Sequence, residues 1–417
     1  MKQGYATMRC GLIGEHLSHS FSAPIHQSLA DYSYTLQELP PESVGDFVRS
    51  GALDAFNVTI PYKKTVMEFL DRISEEARRI GAVNTVVRRP DGSLDGYNTD
   101  YYGFDRMLTD SGIDVQGAKV LVLGNGGASL TVRCVLADRG ASEIVVLGRA
   151  ECHTEEVLLS HRDAHVIVNA TPVGMYPSNG EALISLGDFP HCRGVLDLIY
   201  NPARTALLLD AEGRGIPHCN GLSMLVAQAA RAFELFTGDS CEEDAIRRIT
   251  AEISRNTENI ILVGMPGCGK STVGRALAKE LNRPFLDADD AFTSTYRRTP
   301  ASVIAEDGED RFRSMETEIL RALCKQSGAV IACGGGAVTR EENYPLLHQN
   351  GVIVYLRREL SRLALNGRPI SLRTSPEELF EKRRAAYERF ADLTVDNTEA
   401  LYGTVRALTD ALQRRHH

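Results

Sequence analysis

The sequence predicts an α/β protein with parallel sheets, covered on both faces, in each of two consecutive halves. Three observations predict it. Short apolar runs that read as buried strands alternate with longer runs of helical period. A glycine-rich turn joins strand to helix twice, in KVLVLGNGGASL from Lys119 and in ILVGMPGCGKST from Ile261. A polar stretch from Thr237 to Asn259 separates the two sets of patterns.

The elements follow in chain order. CGLIG, AFNVTI, KVLVLG, EIVVLG, HVIVNAT and GVLDLIY read as strands of the first half, and SMLVAQAARAFELF as a helix. The middle of the polar stretch predicts a further helix, and the boundary is placed near Arg255. NIILVG, AVIACGGG and GVIVYL are the strands expected after it. A chain of 417 residues exceeds one ordinary core, which agrees with two or three domains.

Composition narrows the class. With 43% hydrophobic and 24% charged residues the chain reads as soluble and globular. A net charge of -9 argues against nucleic acid or an anionic membrane surface as the main partner. Anionic small molecules need only a local cluster of Arg or Lys. The nine cysteines are scattered, with no C-x-x-C pair, which points to a reducing cytosol. The N-terminus lacks a signal-peptide core and no apolar run is long enough for a bilayer, so a cytoplasmic location is expected. Oligomeric state is not encoded in any of these features.

The second glycine turn carries the sharper chemistry. Gly264 to Ser271 fits G-x-x-x-x-G-K-S, a loop whose backbone amides cradle phosphates at a helix N-terminus. Gly267, Cys268, Gly269 and Thr272 would line that cradle, Lys270 would reach the β- and γ-phosphates of a nucleotide, and the Ser271 hydroxyl would sit on Mg²⁺. The loop alone fits a kinase, a motor ATPase or a GTPase. FLDADDAF adds Asp287 and Asp289, two apart at an extended strand end and able to face one side. One can complete the Mg²⁺ shell, and the other can accept a proton or hydrogen bond from a substrate hydroxyl. AVIACGGG ends in three glycines, which permit close approach of backbone to a small ligand. EDRFRSMETEIL and EKRRAAYERFAD supply arginines for a carboxylate, although lone helix arginines are usually solvated.

In the first half, Gly124 and Gly126 fit a dinucleotide-binding turn, with Gly127 and Ala128 at the helix start and Ser129 at the third small position. The next strand ends in Gly148-Arg149 with no acidic residue beside it. An arginine there suits a 2′-phosphate, so NADP is favoured over NAD. Polar residues outside this turn form a second set: Ser20 and Ser22, Thr59 and Lys63, Asn84, and Asp100. Singly, Lys63 reads as a solvated lysine and Asp100 as a helix cap. Together they describe a pocket for a polyhydroxylated ring, with a Lys–Asp pair able to move one proton.

The motifs GMPGCGKST, FLDADDAF, DGEDRFRSMET, CGGGAV, NGRP and RRAAYERFAD, in this order, resemble shikimate kinase. The resemblance implies that Asp289 orients the attacking hydroxyl of shikimate. It implies that Arg313, Arg383 and the backbone of Gly335 and Gly336 hold the carboxylate and ring, and that Arg368 is a lid arginine over the phosphates. Ala385 stands where the family usually has proline, and the lid after Arg368 is a few residues short.

The polar set of the first half, with NATPVGMYP, LDLIYNP and NGLSMLVAQAARAFELFTG, resembles shikimate dehydrogenase. That resemblance implies NADPH-dependent reduction of 3-dehydroshikimate. Lys63 would protonate the developing alkoxide and Asp100 would bind the neighbouring hydroxyl and orient Lys63. Ser20 and Ser22 would bind the carboxylate with Tyr200 nearby, and Thr59, Asn84 and Gln228 the ring hydroxyls. About 1–102 plus 220–240 would form the substrate-binding part, about 103–219 the Rossmann-type NADP-binding part, and 256–417 the P-loop kinase domain. Gly148-Arg149-Ala150 replaces the usual Asn-Arg-Thr, His153 sits where a second arginine is usual, and Ala23 replaces a proline. The stretch from Arg149 to Val166 has room for a helix but not a further strand.

The combined reading is a bifunctional enzyme whose first product, shikimate, is its second substrate. Two other readings stay open: a kinase with a regulatory, non-catalytic dehydrogenase-like module, and a quinate/shikimate dehydrogenase using NAD.

Overall fold

The computed structural model describes residues 3–17, 21–363, 375–397 and 400–415. Contacts divide the chain into two compact units. The first is Met1–Val173, Ala182–Tyr200 and Asp210–Glu252; the second is Gly174–Glu181, Asn201–Leu209 and Ile253–His417.

The first unit holds two sheets. One contains Arg9–Gly14 (β1), Ser33–Glu38 (β2), Ala55–Val58 (β3), Arg72–Ile73 (β4), Thr85–Arg88 (β5) and Leu94–Tyr97 (β6), in the order β2-β1-β3-β5-β6-β4. It is mixed, not parallel as the alternation of patterns predicts: β5 runs antiparallel to both β3 and β6. The reason is local. Pro90-Asp91-Gly92-Ser93 joins β5 to β6 as a tight turn, with the Asp91 carboxylate accepting from the Ser93 N–H and hydroxyl. The other sheet contains Lys119–Leu123 (β7), Glu143–Leu147 (β8), Val166–Asn169 (β9), Gly194–Asp197 (β10) and His218–Asn220 (β11). Its order is β11-β10-β9-β7-β8 and every pairing is parallel. Strand β7 therefore sits at the switch point, where α/β sheets open a crevice for ligands. Val120, Leu121 and Val122 on β7 and Val166, Ile167 and Val168 on β9 are all buried, as strands covered on both faces require.

The second unit has one parallel sheet: Asn259–Val263 (β12), Phe285–Asp287 (β13), Val330–Ala332 (β14), Gly351–Arg357 (β15) and Leu393–Asp396 (β16), ordered β13-β14-β12-β15-β16. Its core runs from Ile261 and Val263 to Leu277, Leu320 and Ile353, all at most 1% exposed. The expected helix in the polar stretch is Glu243–Thr257. A short helix, Glu155–Ser160, fills Arg149 to Val166 with no added strand.

One buried histidine makes the first unit acid-sensitive. His26 is fully buried, with Nδ1 2.7 Å from the Tyr32 hydroxyl and its ring stacked 4.0 Å from that of Tyr34. Burial pushes its pKa down from 6.5 to about 3. Below 6.5 the unfolded chain takes a proton that the folded one refuses, so stability falls as pH drops from 6.5 toward 3. At about pH 5 this linkage costs about 2 kcal/mol. His26→Phe should melt lower near neutral pH, because the Tyr32 hydroxyl loses its partner. Its melting temperature should nonetheless fall less on acidification than that of the native chain. Parallel calorimetric curves for the two would remove His26 as the sensitive group.

Candidate active sites in the two units

In the first unit, Lys63 and Asp100 meet. Lys63 lies just past β3, with its carbonyl accepting from Val83 N–H at 2.8 Å. Asp100 is in the first turn of helix Thr99–Ser111, which Asn98 caps through the Tyr101 N–H. The Lys63 ammonium donates to Asp100 Oδ2 at 2.6 Å, and the two side chains are 21% and 12% exposed. An ion pair so shielded is fixed in place yet open on one side, as proton transfer to a bound molecule requires.

Thr99, the residue before Asp100, belongs to a chain of buried and half-buried polar groups. The Ser22 hydroxyl is hydrogen-bonded to Tyr34, whose own hydroxyl donates to Asn57 Oδ1 at 2.8 Å. Asn57 Nδ2 donates to Thr85 Oγ1 at 3.0 Å. Asn84 Oδ1 accepts from the Thr85 hydroxyl and from the Thr99 N–H at 2.7 Å. The Thr99 hydroxyl also lies 3.4 Å from Gln228 Oε1. Ser22, expected on the carboxylate, and Asn84 and Gln228, expected on ring hydroxyls, are thus joined in one network. With Asn84 Oδ1 fully engaged, its amide N–H₂ is left to donate to a ligand. Thr59 follows β3, with its N–H bonded to Ile13. Tyr200 packs edge-on against Phe21 with centroids 5.6 Å apart, and burial raises its phenol pKa. Ser20 lies outside the described residues.

The dinucleotide turn follows β7. Gly124 has φ 105°, and a Cβ there would stand 2.7 Å from Thr171 Cγ2, so only glycine fits. Gly126 and Gly127 have nothing within 4 Å of an added Cβ, which leaves their backbone open to a pyrophosphate at the start of helix Gly127–Asp138. Ala128 is in the first turn of that helix. Arg149 is exposed just past β8. The expectation of no acid beside it needs correction. Glu151 folds back, and its Oε2 accepts from Gly148 N–H at 2.5 Å.

In the second unit the phosphate loop follows β12, and Gly267, Gly269, Lys270, Ser271, Thr272, Asp287, Asp289, Cys333, Gly335 and Arg358 line a cavity of about 200 Å³. Cys268, within the loop, is buried, and its carbonyl accepts from Asn397 Nδ2 at 2.7 Å. Lys270 is 7% exposed and braces the loop, donating to the carbonyls of Gly264 and Met265 at 2.9 and 3.1 Å. The Ser271 hydroxyl donates to Asp287 Oδ2 at 2.6 Å. The two oxygen donors expected on Mg²⁺ are therefore adjacent, a hard-cation donor pair beside a phosphate cradle. Asp287 also caps helix Ala288–Tyr296 through the Asp289 N–H, which leaves the Asp289 carboxylate exposed at the cavity wall.

The glycine triplet is explained by what crowds it. A Cβ at Gly336 would collide with the Arg313 guanidinium, and one at Gly334 with the Glu316 carboxylate. Arg313 donates to Glu316 Oε2 at 2.6 Å and to Glu309 Oε1 at 2.9 Å. Burial lowers the Arg313 pKa, but Glu316 and Glu309 outweigh it and the net shift is upward. Burial raises that of Glu316, with Arg313 opposing. Arg383 Nη1 donates to the Gly335 carbonyl at 3.1 Å, and the Tyr387 hydroxyl donates to the same oxygen. Arg313, Arg383, Gly335 and Gly336 thus converge. Arg368 lies outside the described residues.

Besides Glu151 and Glu309, several participants were not singled out in the sequence. Glu316 sits three residues after Arg313, a helical pair spacing that could have flagged it. Tyr387 lies in RRAAYERFAD, one turn after Arg383. Asn397 and Arg358 have no local signal; only the sheet order brings their strand ends to the phosphate loop.

Comparisons with known proteins fit this geometry. A family model described as "Shikimate dehydrogenase substrate binding domain" matches residues 12–86, and one described as "Shikimate 5'-dehydrogenase C-terminal domain" matches 221–249. The shikimate dehydrogenase (NADP(+)) of Methanopyrus kandleri is 38% identical over 274 residues, covering 58% of this chain and 94% of the relative. The chain belongs to the shikimate dehydrogenase family. The model "Shikimate kinase" matches residues 266–413, so the dehydrogenase is followed by a shikimate kinase domain in one bifunctional shikimate-pathway enzyme. A solved chorismate mutase/shikimate 5-dehydrogenase fusion from Clostridium acetobutylicum is 38% identical, with TM-score 0.55, covering 59% of this chain and 97% of its own. The Thermus thermophilus shikimate 5-dehydrogenase, solved with NADP(H) and shikimate, is 32% identical with TM-score 0.53, covering 59% and 99%. The Listeria monocytogenes enzyme, solved with shikimate and NAD, is 30% identical with TM-score 0.52, covering 58% and 96%. Among the described residues no helix is long and apolar enough to cross a membrane.

Proposed function

We propose that the first unit reduces 3-dehydroshikimate to shikimate and that the second phosphorylates shikimate at the hydroxyl facing Asp289. The carrying observation is the Lys63–Asp100 contact at 2.6 Å, a proton-transfer pair that a sensor module would not need. NADPH, when bound, supplies the hydride. Lys63 gives a proton to the alkoxide oxygen, and Asp100 keeps the ammonium aimed while it accepts from the neighbouring hydroxyl. Ser22 and Tyr200, with Ser20, hold the carboxylate; Thr59, Asn84 and Gln228 hold ring hydroxyls.

In the second unit, ATP with Mg²⁺, when bound, supplies the phosphoryl group. The loop amides, Lys270 and Arg368 grip the phosphates, while Ser271 and Asp287 offer the cation oxygen ligands. Asp289 orients the attacking hydroxyl. Arg313 and Arg383 bind the substrate carboxylate against Gly335 and Gly336. The division near Arg255 belongs to this proposal, as does a cytoplasmic setting where both nucleotides are plentiful.

A coupled assay tests the whole. The intact chain, given 3-dehydroshikimate, NADPH, ATP and Mg²⁺, should yield 3-phosphoshikimate. Phosphorylation of added shikimate without NADPH oxidation would favour the regulatory-module reading. Faster turnover with quinate and NAD would favour the third.

A further inference from the structure

We propose that Glu151 is a specificity-determining residue of the dinucleotide site, one that opposes Arg149 and admits NADH alongside NADPH. The inference rests on the dehydrogenase reading of the first unit. Strands β7 and β8 are adjacent and parallel, with Leu123 opposite Leu147. The Gly124 turn and Gly148 therefore leave the sheet side by side. In such sheets the adenosine ribose lies between that turn and the end of the neighbouring strand. A carboxylate stands there. Glu151 Oε2 accepts from Gly148 N–H at 2.5 Å, and a Cβ built at Gly148 would be 3.2 Å from both that oxygen and Asn125 Nδ2 of the turn.

The position is built, not incidental. Cys152, 1% exposed, anchors the segment by donating its N–H to the Gly148 carbonyl at 3.1 Å. Thr154 N–H closes the next turn on the Glu151 carbonyl at 3.1 Å. The anchored acid offers acceptors to ribose hydroxyls. It also repels a 2′-phosphate, which carries nearly two negative charges. Arg149, exposed two residues earlier, pulls the other way. One cation and one anion at this strand end leave less discrimination than either alone would give.

The test titrates NADPH and NADH into the full-length protein and follows nicotinamide fluorescence, which needs no turnover. Glu151→Gln keeps an oxygen for the Gly148 N–H and removes the charge. The ratio of the NADH to the NADPH dissociation constant should rise about tenfold in that variant, and Arg149→Gln should lower it by a similar factor. The ratio of kcat/KM for NADPH to that for NADH should move in the same directions. If Glu151→Gln does not fold, Glu151→Asp, which draws the charge back by one methylene, should give a smaller rise. A ratio unchanged by the charge-removing variant, or by Glu151→Asp in its place, overturns the assignment of Glu151. Native protein that binds neither nucleotide overturns the dehydrogenase reading itself.

Discussion

Lys63→Ala should cut NADPH oxidation with 3-dehydroshikimate by about 10²–10⁴-fold, the usual cost of losing a general acid. The expectation rests on geometry. The ammonium is held at 2.6 Å from Asp100 with little solvent around it, and among the described residues no other lysine is paired with Asp100. Water can replace a proton donor only with poor aim and a poor match of pKa. The substitution also leaves Asp100 without its counter-charge, so a melting curve must accompany the rates. Lys63→Met, which keeps most of the side-chain length, separates lost chemistry from lost packing. Phosphorylation of added shikimate should be unaffected, because Lys63 lies in the first unit. A variant that reduces its substrate at a near-native rate takes Lys63 out of the mechanism.

Asp289→Asn should do the converse. It keeps the shape of the side chain but cannot accept a proton, so kcat for shikimate phosphorylation should fall about 10²–10⁴-fold. The KM for ATP should change little, since the proposed phosphate contacts are those of Lys270, Arg368 and the loop backbone, not of Asp289. The N–H of residue 289 still donates to Asp287 at 3.0 Å, so the helix cap survives. Asp287→Asn makes the contrast. It weakens the donor pair with Ser271 and should raise the Mg²⁺ concentration needed for half-maximal rate. Equal responses to Mg²⁺ in the two variants would dissolve the separate roles given to the two aspartates.

The glycine turns and the strands beside them were legible because local sequence decides them. A strand, a turn that only glycine can make and a helix start lie within a dozen residues. The Lys63–Asp100 pair was legible only as a set of polar residues that a cofactor domain does not need; 37 positions separate the two. The antiparallel β5–β6 hairpin was missed although Pro90-Asp91-Gly92 announces a turn, because its strands are short and half polar. Glu151 was missed for another reason. Its role depends on a side chain folding back three residues onto the Gly148 N–H, which no periodicity encodes. Asn397 and Arg358 reach the phosphate loop through sheet order, a property of the whole unit.

The buried run from Ser22 through Tyr34, Asn57, Thr85 and Asn84 to Thr99 and Gln228 has a consequence for how the pocket can change over generations. Tyr34, Asn57 and Thr85 each give one hydrogen bond along the run and take another, so a substitution at any of the three strands a partner on each side. Each orphaned group costs about 1–3 kcal/mol, a large share of the margin by which a domain stays folded. Tyr34 and Asn57 are two steps or more from the Lys63–Asp100 pair, yet neither can drift alone. A tolerated replacement at Asn57 has to arrive with one at Tyr34 or Thr85 in the same gene. Descent therefore treats these positions as a linked block, and the variation open to the proposed ring-binding residues is set by their buried neighbours.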